Sequence, residues 1–355
     1  MEESYNYLQA KSYFNSISSI TVKNETEFRK RYREISALGE GSQSKIYLCE
    51  DRETYGICAF KLFKSVKREH AIREYKISKY LLEKHSMRNV VDNNNEMRLE
   101  NINYSQNTGN QIENDNIVAN ISAEQGHIVE DKDDNIFGTY LEDVALYEIR
   151  EKLGFFQDAG DMDLWTYITK KGIANSQQRN SLMRQLIRTL KYVHRYNILH
   201  RDIKLENILV TIKENEQLDA KVIDFGLAAS LEFDSEIELR RCCGSHRYQA
   251  PEILPREKDK YSPMVHTKAV DIFSLGVVFY ALHFVAYPFK ECKYRSVKVN
   301  KYTENILSEE QIEDSKSLGF DAEVLRLTKD MLRLNPELRP SIEEVERRFE
   351  EALKN

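Results

Sequence analysis

The chain has 355 residues, of which 41% are hydrophobic and 31% are charged. This apolar content is sufficient for a packed core, and the length suits one large domain or two lobes. The formal net charge of −6 argues against a dedicated nucleic-acid-binding protein, because such proteins usually carry a basic excess.

The N-terminal sequence and the cysteine content indicate an intracellular protein. The first residues, MEESYNYLQAKSYFNS, are acidic and polar and lack the apolar segment of a signal peptide. No stretch approaches the roughly 18 apolar residues that a membrane span requires. The five cysteines match neither a metal-binding nor a disulfide pattern, so we expect ordinary thiols in a reducing compartment. We therefore expect a protein of the cytoplasm or nucleus that has no membrane or nucleic-acid partner.

The predicted elements begin after a polar N-terminal extension. Residues 1–30 lack clear periodicity, and we expect a mobile tail or a short strap over the domain. Between Tyr32 and Phe63 apolar runs alternate with glycine, which predicts three strands with a glycine-rich turn between the first two. Residues 67–84 have helical spacing, because apolar residues recur at three- and four-residue steps.

The composition changes sharply after this helix. Between Asn89 and Asn120 about a third of the residues are asparagine, and such a segment buries too little apolar surface to offset its ordering entropy. We expect residues 92–140 to form a largely disordered insertion in a surface loop; a docking segment is the alternative.

The remaining sequence becomes mainly helical. Strands resume at VALYEI and KLGFFQ, and amphipathic helices follow from Leu164 onward, interrupted by a hairpin formed by ENILV and AKVIDFG. A strand-rich first part and a helical remainder predict two lobes with a cleft between them.

Two features of the strand-rich part suit a phosphate. Gly39, Gly41 and Ser44 lie in a strand–turn–strand where backbone N–H groups can approach phosphate oxygens, although a plain hairpin has the same pattern. Lys61, flanked by apolar residues in a strand, is either exposed at an edge or buried with a carboxylate. The helix that follows offers Glu74 as that partner, and Glu69 and Glu83 are the competing residues.

A more specific signal is HRDIKLEN, from His200 to Asn207. Asp202, Lys204 and Asn207 supply a general base, a cation for a phosphate and an oxygen ligand for a divalent metal within one tight loop. Asp224, in DFG, follows a short hairpin later and can add a carboxylate to the same metal. The two motifs in this order indicate phosphoryl transfer.

These motifs resemble those of the eukaryotic protein kinase family, serine/threonine type, from about Tyr32 to about Glu351. The resemblance implies an α+β, two-lobed protein kinase domain at residues 31–352, preceded by an extension at residues 1–30. The N-lobe (about 31–156) would hold a small antiparallel sheet with one main helix, and the C-lobe (about 160–352) would be larger and mostly helical. ATP and Mg²⁺ are the implied nucleotide and metal, and proteins are the implied substrates of a monomeric enzyme.

The resemblance also implies roles for individual residues. Lys61, paired with Glu74, would hold the α- and β-phosphates; Asp202 would be the catalytic base, with Lys204 beside the transferred phosphoryl group. Asn207 and Asp224 would bind magnesium. The implied nucleotide-binding residues are Gly39, Glu40, Gly41, Ser42, Gln43, Ser44, Ile46, Ala59, Lys61, Phe156, Gln157, Ala159, Asp163 and Leu209.

Within that set, the connection between the lobes has distinct expected roles. Phe156 would guard the deep part of the pocket, the backbones of Gln157 and Ala159 would bond the adenine, and Asp163 would reach the ribose. Ser44 replaces the third glycine of the family's glycine-rich loop. Elsewhere, Glu252 would form a buried ion pair with Arg339, and Asp271 would brace the catalytic loop.

Specificity and regulation are also implied by the resemblance. Lys204 and Ser245 match serine/threonine kinases, and Asp163 and Glu206 lie where basophilic members bind arginines of the substrate. Arg201 matches an arginine that often binds a phosphate on the activation loop. That loop would run from Leu227 to Arg241, and it offers Ser230 and Ser235. Its acidic residues are an alternative to that phosphate, which would leave the kinase partly active without phosphorylation. The acidic residues are Glu232, Asp234, Glu236 and Glu238.

Two other functions compete with this interpretation. A pseudokinase scaffold would bind partners without phosphoryl transfer, and Ser44 in the glycine-rich turn is a departure that would suit it. The APE sequence at Ala250–Glu252 resembles the end of the family's activation segment. A small-molecule kinase of related fold usually lacks this segment and its arginine partner, so Glu252 with Arg339 argues against it.

Overall fold

The computed structural model describes residues 22–41, 43–84, 145–173, 175–254, 264–294, 297–302 and 306–354. The chain divides into two compact units: residues 1–78 with 136–355 form the first, and residues 79–135 form the second. Within the second unit the described part is residues 79–84, the end of a helix. Most of the asparagine-rich insertion predicted at residues 92–140 belongs to this unit, and the whole insertion lies outside the described residues.

A six-stranded sheet opens the first unit. Its strands are β1 (Val22–Asn24), β2 (Tyr32–Glu40), β3 (Ser44–Asp51), β4 (Ile57–Phe63), β5 (Leu146–Ile149) and β6 (Lys152–Asp158). The spatial order is β1-β5-β6-β4-β3-β2, and all neighbouring strands are antiparallel except β1, which is parallel to β5. The predicted N-lobe sheet is confirmed.

Part of the N-terminal extension is folded onto this sheet. Helix α1 (Glu25–Arg31) begins with a capping box, in which the side chain of Asn24 bonds the backbone of Glu27 and the side chain of Glu27 bonds the backbone of Asn24. Phe28 of this helix is buried against Phe60, with ring centroids 4.7 Å apart. Residues 22–31 therefore pack over the sheet, as in the strap that was one of the two alternatives for residues 1–30, and residues 1–21 lie outside the described residues.

The main helix of the N-lobe, α2 (residues 68–84), follows a short 3₁₀ turn at Ser65–Lys67. Its buried residues Ala71 and Tyr75 pack with Phe63 of β4 and Phe155 of β6. This packing fixes the orientation of the first half of α2 against the sheet, and Glu74 lies on the same stretch.

The C-lobe is mostly helical, as predicted. Its helices are α3 (Leu164–Lys170), α4 (Ser176–Arg195), α5 (Glu236–Leu239), α6 (Ala269–Phe284), α7 (Glu309–Ser315), α8 (Ala322–Met331) and α9 (Ile342–Ala352). Short strands accompany them: β7 (Met162–Asp163), β8 (Ile198–Leu199), β9 (Ile208–Ile212), β10 (Leu218–Val222), β11 (Ala229–Ser230), β12 (Lys290–Tyr294) and β13 (Val297–Lys301). Helix α6 is buried along nearly its whole length and forms the centre of the core with α4, α8 and α9. None of the described helices is both long and apolar enough to span a membrane.

The β9–β10 hairpin positions two of the predicted site residues. Asn207 lies immediately before β9, and Asp224 lies two residues after β10. Since the strands are antiparallel, with Val222 opposite Ile208, both residues lie at the same end of the hairpin. The N–H of Ile223 donates to the Asn207 carbonyl at 2.9 Å, which ties the two segments together.

Candidate active site

Asp202, Lys204 and Asn207 lie within hydrogen-bond distance of one another. Lys204 Nζ lies 2.7 Å from Asp202 Oδ2, and Asn207 Nδ2 donates to the same oxygen at 3.0 Å. The backbone N–H of Ser245 donates to Asp202 Oδ1 at 2.9 Å, and Lys204 donates to the Ser245 hydroxyl at 2.7 Å. The structure therefore brings the residues predicted for the catalytic loop into one cluster.

Asp271, on α6, holds this loop in position. Its buried carboxylate accepts hydrogen bonds from the backbone N–H groups of His200 and Arg201, both at 2.8 Å. Burial alone would raise the pKa of Asp271, but the hydrogen bond with His194 and those of the backbone lower it below its ordinary value. Arg201 has φ of 62°, which is uncommon for a residue other than glycine. The ionised Asp271 stabilises this strained conformation.

Lys61 is buried and has two carboxylate partners. Its Nζ lies 2.7 Å from Glu74 Oε1 and 3.0 Å from Asp224 Oδ1. Burial by itself lowers the pKa of Lys61, but the charges of Glu74 and Asp224 outweigh burial and raise the pKa above its ordinary value, so the ammonium is charged. Burial raises the pKa of Glu74, whose Oε2 has no hydrogen-bond partner among the residues described. Of the glutamates that the sequence left open, Glu74 is thus a direct partner of Lys61.

Asn207 and Asp224 each keep one oxygen outside the protein's own hydrogen bonds. Asn207 uses Nδ2 to bond Asp202, and Asp224 uses Oδ1 to bond Lys61 and the Gly226 N–H. Within the described part of the chain, this leaves Asn207 Oδ1 and Asp224 Oδ2. Burial would raise the pKa of Asp224, but Lys61 lowers it, so the carboxylate is ionised. Carboxylate and amide oxygens are the ligand types that Mg²⁺ prefers, so these residues fit the metal.

The glycines of the β2–β3 turn are not required by protein packing. A Cβ added to Gly39 would meet no atom within 4 Å, and one added to Gly41 would meet only the Ser44 carbonyl, at 3.9 Å. The N–H of Gly41 donates to this carbonyl at 2.9 Å and closes the turn. The open space above the glycines suits a ligand that approaches the backbone closely.

The other predicted residues of this turn have varied surroundings. Glu40 forms an ion pair with Lys64 at 3.3 Å, and Gln43 Oε1 lies 3.2 Å from His70 Nδ1. Ser44, in the position of the third glycine, is buried. Ser42 lies outside the described residues.

The face of the sheet that carries Lys61 also carries Ile46, Ala59 and Gln157. Ile46 lies opposite Lys61 in the β3–β4 register, and Ala59 lies opposite Gln157 in the β4–β6 register. Residues opposite each other in paired strands project to the same face, and successive residues alternate. These side chains therefore line the sheet where it meets the Lys61 cluster.

The expectation for Phe156 is corrected by the structure. Phe156 lies opposite Phe60 and packs against Phe28 and Tyr32, with ring centroids 5.8 and 3.9 Å away. Because Phe155 lies opposite Lys61, the side chain of Phe156 is on the other face of the sheet. Phe156 belongs to this aromatic cluster and does not guard the pocket; Gln157 lies on the pocket's face.

The connection after β6 contains the remaining predicted nucleotide residues. Ala159 follows β6 directly and is half-buried. Gly160 lies against Leu209 of β9, because a Cβ at Gly160 would collide with the Leu209 side chain. Asp163 is the N-cap of α3, and its two oxygens accept from the Thr166 backbone at 2.8 Å and the Thr166 hydroxyl at 2.6 Å. Both carboxylate oxygens of Asp163, the residue expected to reach the ribose, therefore already accept hydrogen bonds from Thr166.

Arg201 binds a carboxylate of the activation loop. The arginine side chain is buried, and its Nη2 lies 2.5 Å from Glu238 Oε1. Its other N–H groups donate to the backbone carbonyls of Leu227 at 2.6 Å and Glu238 at 2.7 Å. Glu238 thus occupies the place that the resemblance assigned to a phosphate or an acidic residue.

Two further acidic residues of this loop are bound by side chains that the sequence analysis did not identify. Arg73, from α2, binds Asp234 at 2.6 Å, and Asn197 donates to Glu232 at 2.7 Å. No pattern in the sequence predicts these pairs, because the partners are distant in the chain.

The two candidate phosphoacceptor serines bond the backbone of their own loop. Ser230 is buried, and its hydroxyl accepts from the N–H groups of Glu232 and Phe233 at 3.2 and 3.3 Å. Ser235 caps the short helix α5 by accepting from the Glu238 N–H at 3.3 Å.

Buried and half-buried ion pairs connect the site to its surroundings. Arg339 bonds both oxygens of Glu252, at 2.6 and 2.8 Å, and both side chains are buried. Lys221, on β10, binds Asp158 at the end of β6 at 2.7 Å. The first pair agrees with the expectation from the sequence, whereas the second was missed.

Comparison with known proteins gives one family and several similar sequences. The family model described as "Protein kinase domain" matches residues 144–348, which is more than half of the chain. "Probable serine/threonine-protein kinase CCRP1" of Zea mays is 36% identical over 165 residues, 45% of this chain and 23% of that protein. "DNA damage response protein kinase DUN1" of Saccharomyces cerevisiae is 30% identical over 227 residues, 59% of this chain and 41% of that protein. "Serine/threonine-protein kinase PLK2" of Mus musculus is 34% identical over 167 residues, 46% of this chain and 21% of that protein. The matches thus cover less than half the length of each of these relatives.

Proposed function

Because the chain belongs to the protein kinase family, we propose that it transfers the γ-phosphate of ATP to serine or threonine hydroxyls of protein substrates. The observation that carries the proposal is the pair of linked clusters around Asp202 and Lys61. The first joins Asp202 to Lys204 and Asn207, and the second joins Lys61 to Asp224. Phosphoryl transfer depends on positioning and charge neutralisation, and these clusters supply both.

Nucleotide and metal binding are supported by the charges of the second cluster. Lys61 is held as a cation by Glu74 and Asp224 and would bind phosphate oxygens of ATP. Asn207 Oδ1 and Asp224 Oδ2 would hold Mg²⁺. When bound, this ion supplies positive charge that neutralises the phosphate oxygens.

Asp202 has the capacity to accept one further proton donor. A carboxylate offers about four acceptor positions. Among the described residues, the Asp202 carboxylate accepts three hydrogen bonds, from the Ser245 backbone N–H and the side chains of Lys204 and Asn207. The remaining position would orient the substrate hydroxyl and take its proton. Lys204 would balance the charge beside it.

Serine and threonine as acceptors are supported by the bond between Lys204 and Ser245. This bond places the hydroxyl of Ser245 on Lys204, whose Nζ also contacts Asp202. Two of the three similar proteins above are also named serine/threonine kinases.

A preference for arginine in the substrate rests on Glu206 more than on Asp163. Glu206 is exposed, and within the described residues it accepts one hydrogen bond, from the Tyr248 hydroxyl at 3.1 Å. Asp163 is committed to the cap of α3. We therefore propose Glu206 as the carboxylate that binds a substrate arginine.

A positional peptide library with labelled ATP and Mg²⁺ tests transfer and preference together. We expect phosphate on serine and threonine, and enrichment of peptides that carry arginine upstream of the acceptor, because Glu206 is an exposed carboxylate. In the Glu206→Gln variant the arginine preference should fall, whereas it should persist in the Glu214→Gln control.

The outcomes separate the two parts of the proposal. Transfer without any arginine preference would remove the basophilic proposal alone. Nucleotide binding without transfer to any peptide would favour the pseudokinase scaffold instead.

We also propose that the activation loop is held in place by Glu238 without phosphorylation. The Arg201 guanidinium is already bound to this carboxylate and to two carbonyls. Asp234 adds a second anchor, to Arg73 of α2. Both candidate serines are used in backbone hydrogen bonds, which supports a loop whose own carboxylates replace a phosphate.

Replacing Glu238 should therefore lower activity. In Glu238→Ala we expect kcat/KM to fall by about 10–100-fold, because hydrogen bonds to charged groups contribute about 1.5–3 kcal/mol. Glu236→Ala is the matched control, since the Glu236 side chain is 66% exposed and its ion pair within the described part of the chain is with Arg240, the C-cap of the same helix. Steady-state kinetics on one peptide substrate measure both variants.

Phosphatase treatment and Ser235→Ala complete this test. Activity should survive both if Glu238 is the anchor. Near-complete loss in either experiment would instead establish Ser235 or another residue as an activating phosphosite.

A further inference from the structure

The glycine-rich turn between β2 and β3 has little packing to hold it in one conformation. The space beside Gly39 and Gly41 is open on the side where a Cβ would project. Glycines in an open turn sample many backbone conformations, so fixing the turn around a ligand costs conformational entropy. A side-chain contact that already holds the turn would reduce this cost of binding.

Gln43 connects the turn to the main helix of the N-lobe. Its Oε1 lies 3.2 Å from Nδ1 of His70, which is in the first turn of α2. Its backbone carbonyl accepts from the N–H of Lys64 at 2.9 Å. Glu40 also pairs with Lys64, but these side chains are 55% and 42% exposed, and exposed ion pairs contribute little. The hydrogen bond between Gln43 and His70 is therefore a direct link from the turn to α2.

His70 lies on a well-anchored part of α2. The next residue, Ala71, is buried in the core between the helix and the sheet. Glu74 follows His70 by four residues, which places it on the same side of the helix, and it binds Lys61 at 2.7 Å. The helix that positions the Lys61 ammonium thus also contacts the glycine-rich turn.

His70 acts on the turn as a neutral hydrogen-bonding group. Partial burial and the nearby charges of Lys67 and Arg241 lower the pKa of His70 below its ordinary value. The imidazole is therefore uncharged at pH 7 and adds no positive charge that would attract phosphate directly. With its proton on Nδ1 it donates to the amide oxygen of Gln43.

We propose that His70 is a positioning residue that holds the β2–β3 turn, through Gln43, in the conformation that receives the phosphates of the nucleotide. A turn held in this way loses less conformational freedom when phosphate oxygens approach its backbone N–H groups. The inference rests on the proposed function, because it concerns the phosphates of the same nucleotide.

The test measures nucleotide binding without phosphoryl transfer, by titration calorimetry with ADP and with adenosine in magnesium-containing buffer. His70→Leu and Gln43→Leu should each weaken ADP binding by about two- to tenfold, because each removes the same hydrogen bond. For that reason the double variant should bind ADP no more weakly than the weaker single variant. Adenosine affinity should stay at the wild-type value in all three variants, since adenosine carries no phosphate.

Two further variants serve as controls. His70→Asn should retain the ADP affinity of the wild type, because asparagine also offers a neutral N–H donor close to the backbone. Glu69→Ala changes an exposed neighbour on the same turn of α2 and should leave both affinities unchanged. Thermal unfolding of each variant identifies loss of folding, which would lower the affinities for ADP and adenosine together.

The results distinguish this inference from the proposed function. If the wild type binds ADP and both leucine variants bind it equally well, the turn needs no anchor on α2 and only this inference is overturned. Equal losses of ADP and adenosine affinity in folded variants would also overturn it, as would additive losses in the double variant. If the wild type binds neither ADP nor adenosine, the proposed function fails as well.

Discussion

In the Asp202→Asn variant, phosphoryl transfer is expected to fall by about 10²–10⁴-fold, the usual contribution of a positioned general base. Asparagine has the same size as aspartate, so the loop keeps its shape. Its NH₂ group, however, must face either Lys204 and Asn207 or the Ser245 N–H, all of which donate hydrogen bonds to Asp202. In either orientation donors meet, and the side chain no longer takes a proton. Initial rates of labelled phosphate incorporation measure the effect.

Two controls make this result specific. Asp219→Asn changes a partly exposed carboxylate that lies 3.6 Å from Lys213, and its rate should equal that of the wild type. ADP binding by Asp202→Asn should also be unchanged, because the Lys61 cluster is intact. A wild-type transfer rate in Asp202→Asn would contradict the role of this residue as the base.

Removing Arg339 is expected to destabilise the protein by about 3–5 kcal/mol, because it leaves a buried carboxylate without its counter-ion. Glu252 is 6% exposed, and Arg339 supplies both of its charge-assisted hydrogen bonds. The guanidinium also lies over the ring of Phe273, with 4.8 Å to the centroid. Urea denaturation of Arg339→Ala, followed by circular dichroism, gives the loss in free energy of unfolding.

The matched control is an arginine in an exposed pair. Arg347 is 54% exposed and contacts Glu344 and Glu351 on its own helix. Arg347→Ala should cost no more than about 1 kcal/mol, as surface ion pairs do. Equal effects of the two substitutions would mean that the Glu252–Arg339 pair does not anchor the end of the activation segment.

Residues close together in sequence were the most predictable part of the site. Asp202, Lys204 and Asn207 lie within six residues of one loop. Their short separation in sequence therefore predicts that their side chains lie close together, as the structure shows. The partner of Lys61 was narrowed to three glutamates by helical spacing, and the fold was needed to select Glu74. The α+β fold and its two kinds of lobe also followed from the order of strand-like and helix-like segments.

Sequence alone could not predict which side chains of β6 project to the face of the sheet that carries Lys61. Phe155 and Phe156 are identical side chains in one strand, and a shift of one residue exchanges their faces. The assignment therefore depended on the register with β4, which sequence alone does not supply. The contacts of Arg73 and Lys221 were missed for a related reason, since they join segments that approach only in the folded chain.

The parallel strand β1 has a consequence for where the chain can be shortened. It is the outermost strand of the sheet, next to β5, and α1 brings Phe28 into the aromatic cluster. A polypeptide that began at Tyr32 would turn β5 into an unpaired edge and uncover the rings of Tyr147 and Phe156. Unpaired strand edges and exposed apolar patches promote association with other chains. Such a fragment should therefore self-associate, whereas a fragment that retains residues 22–31 should not.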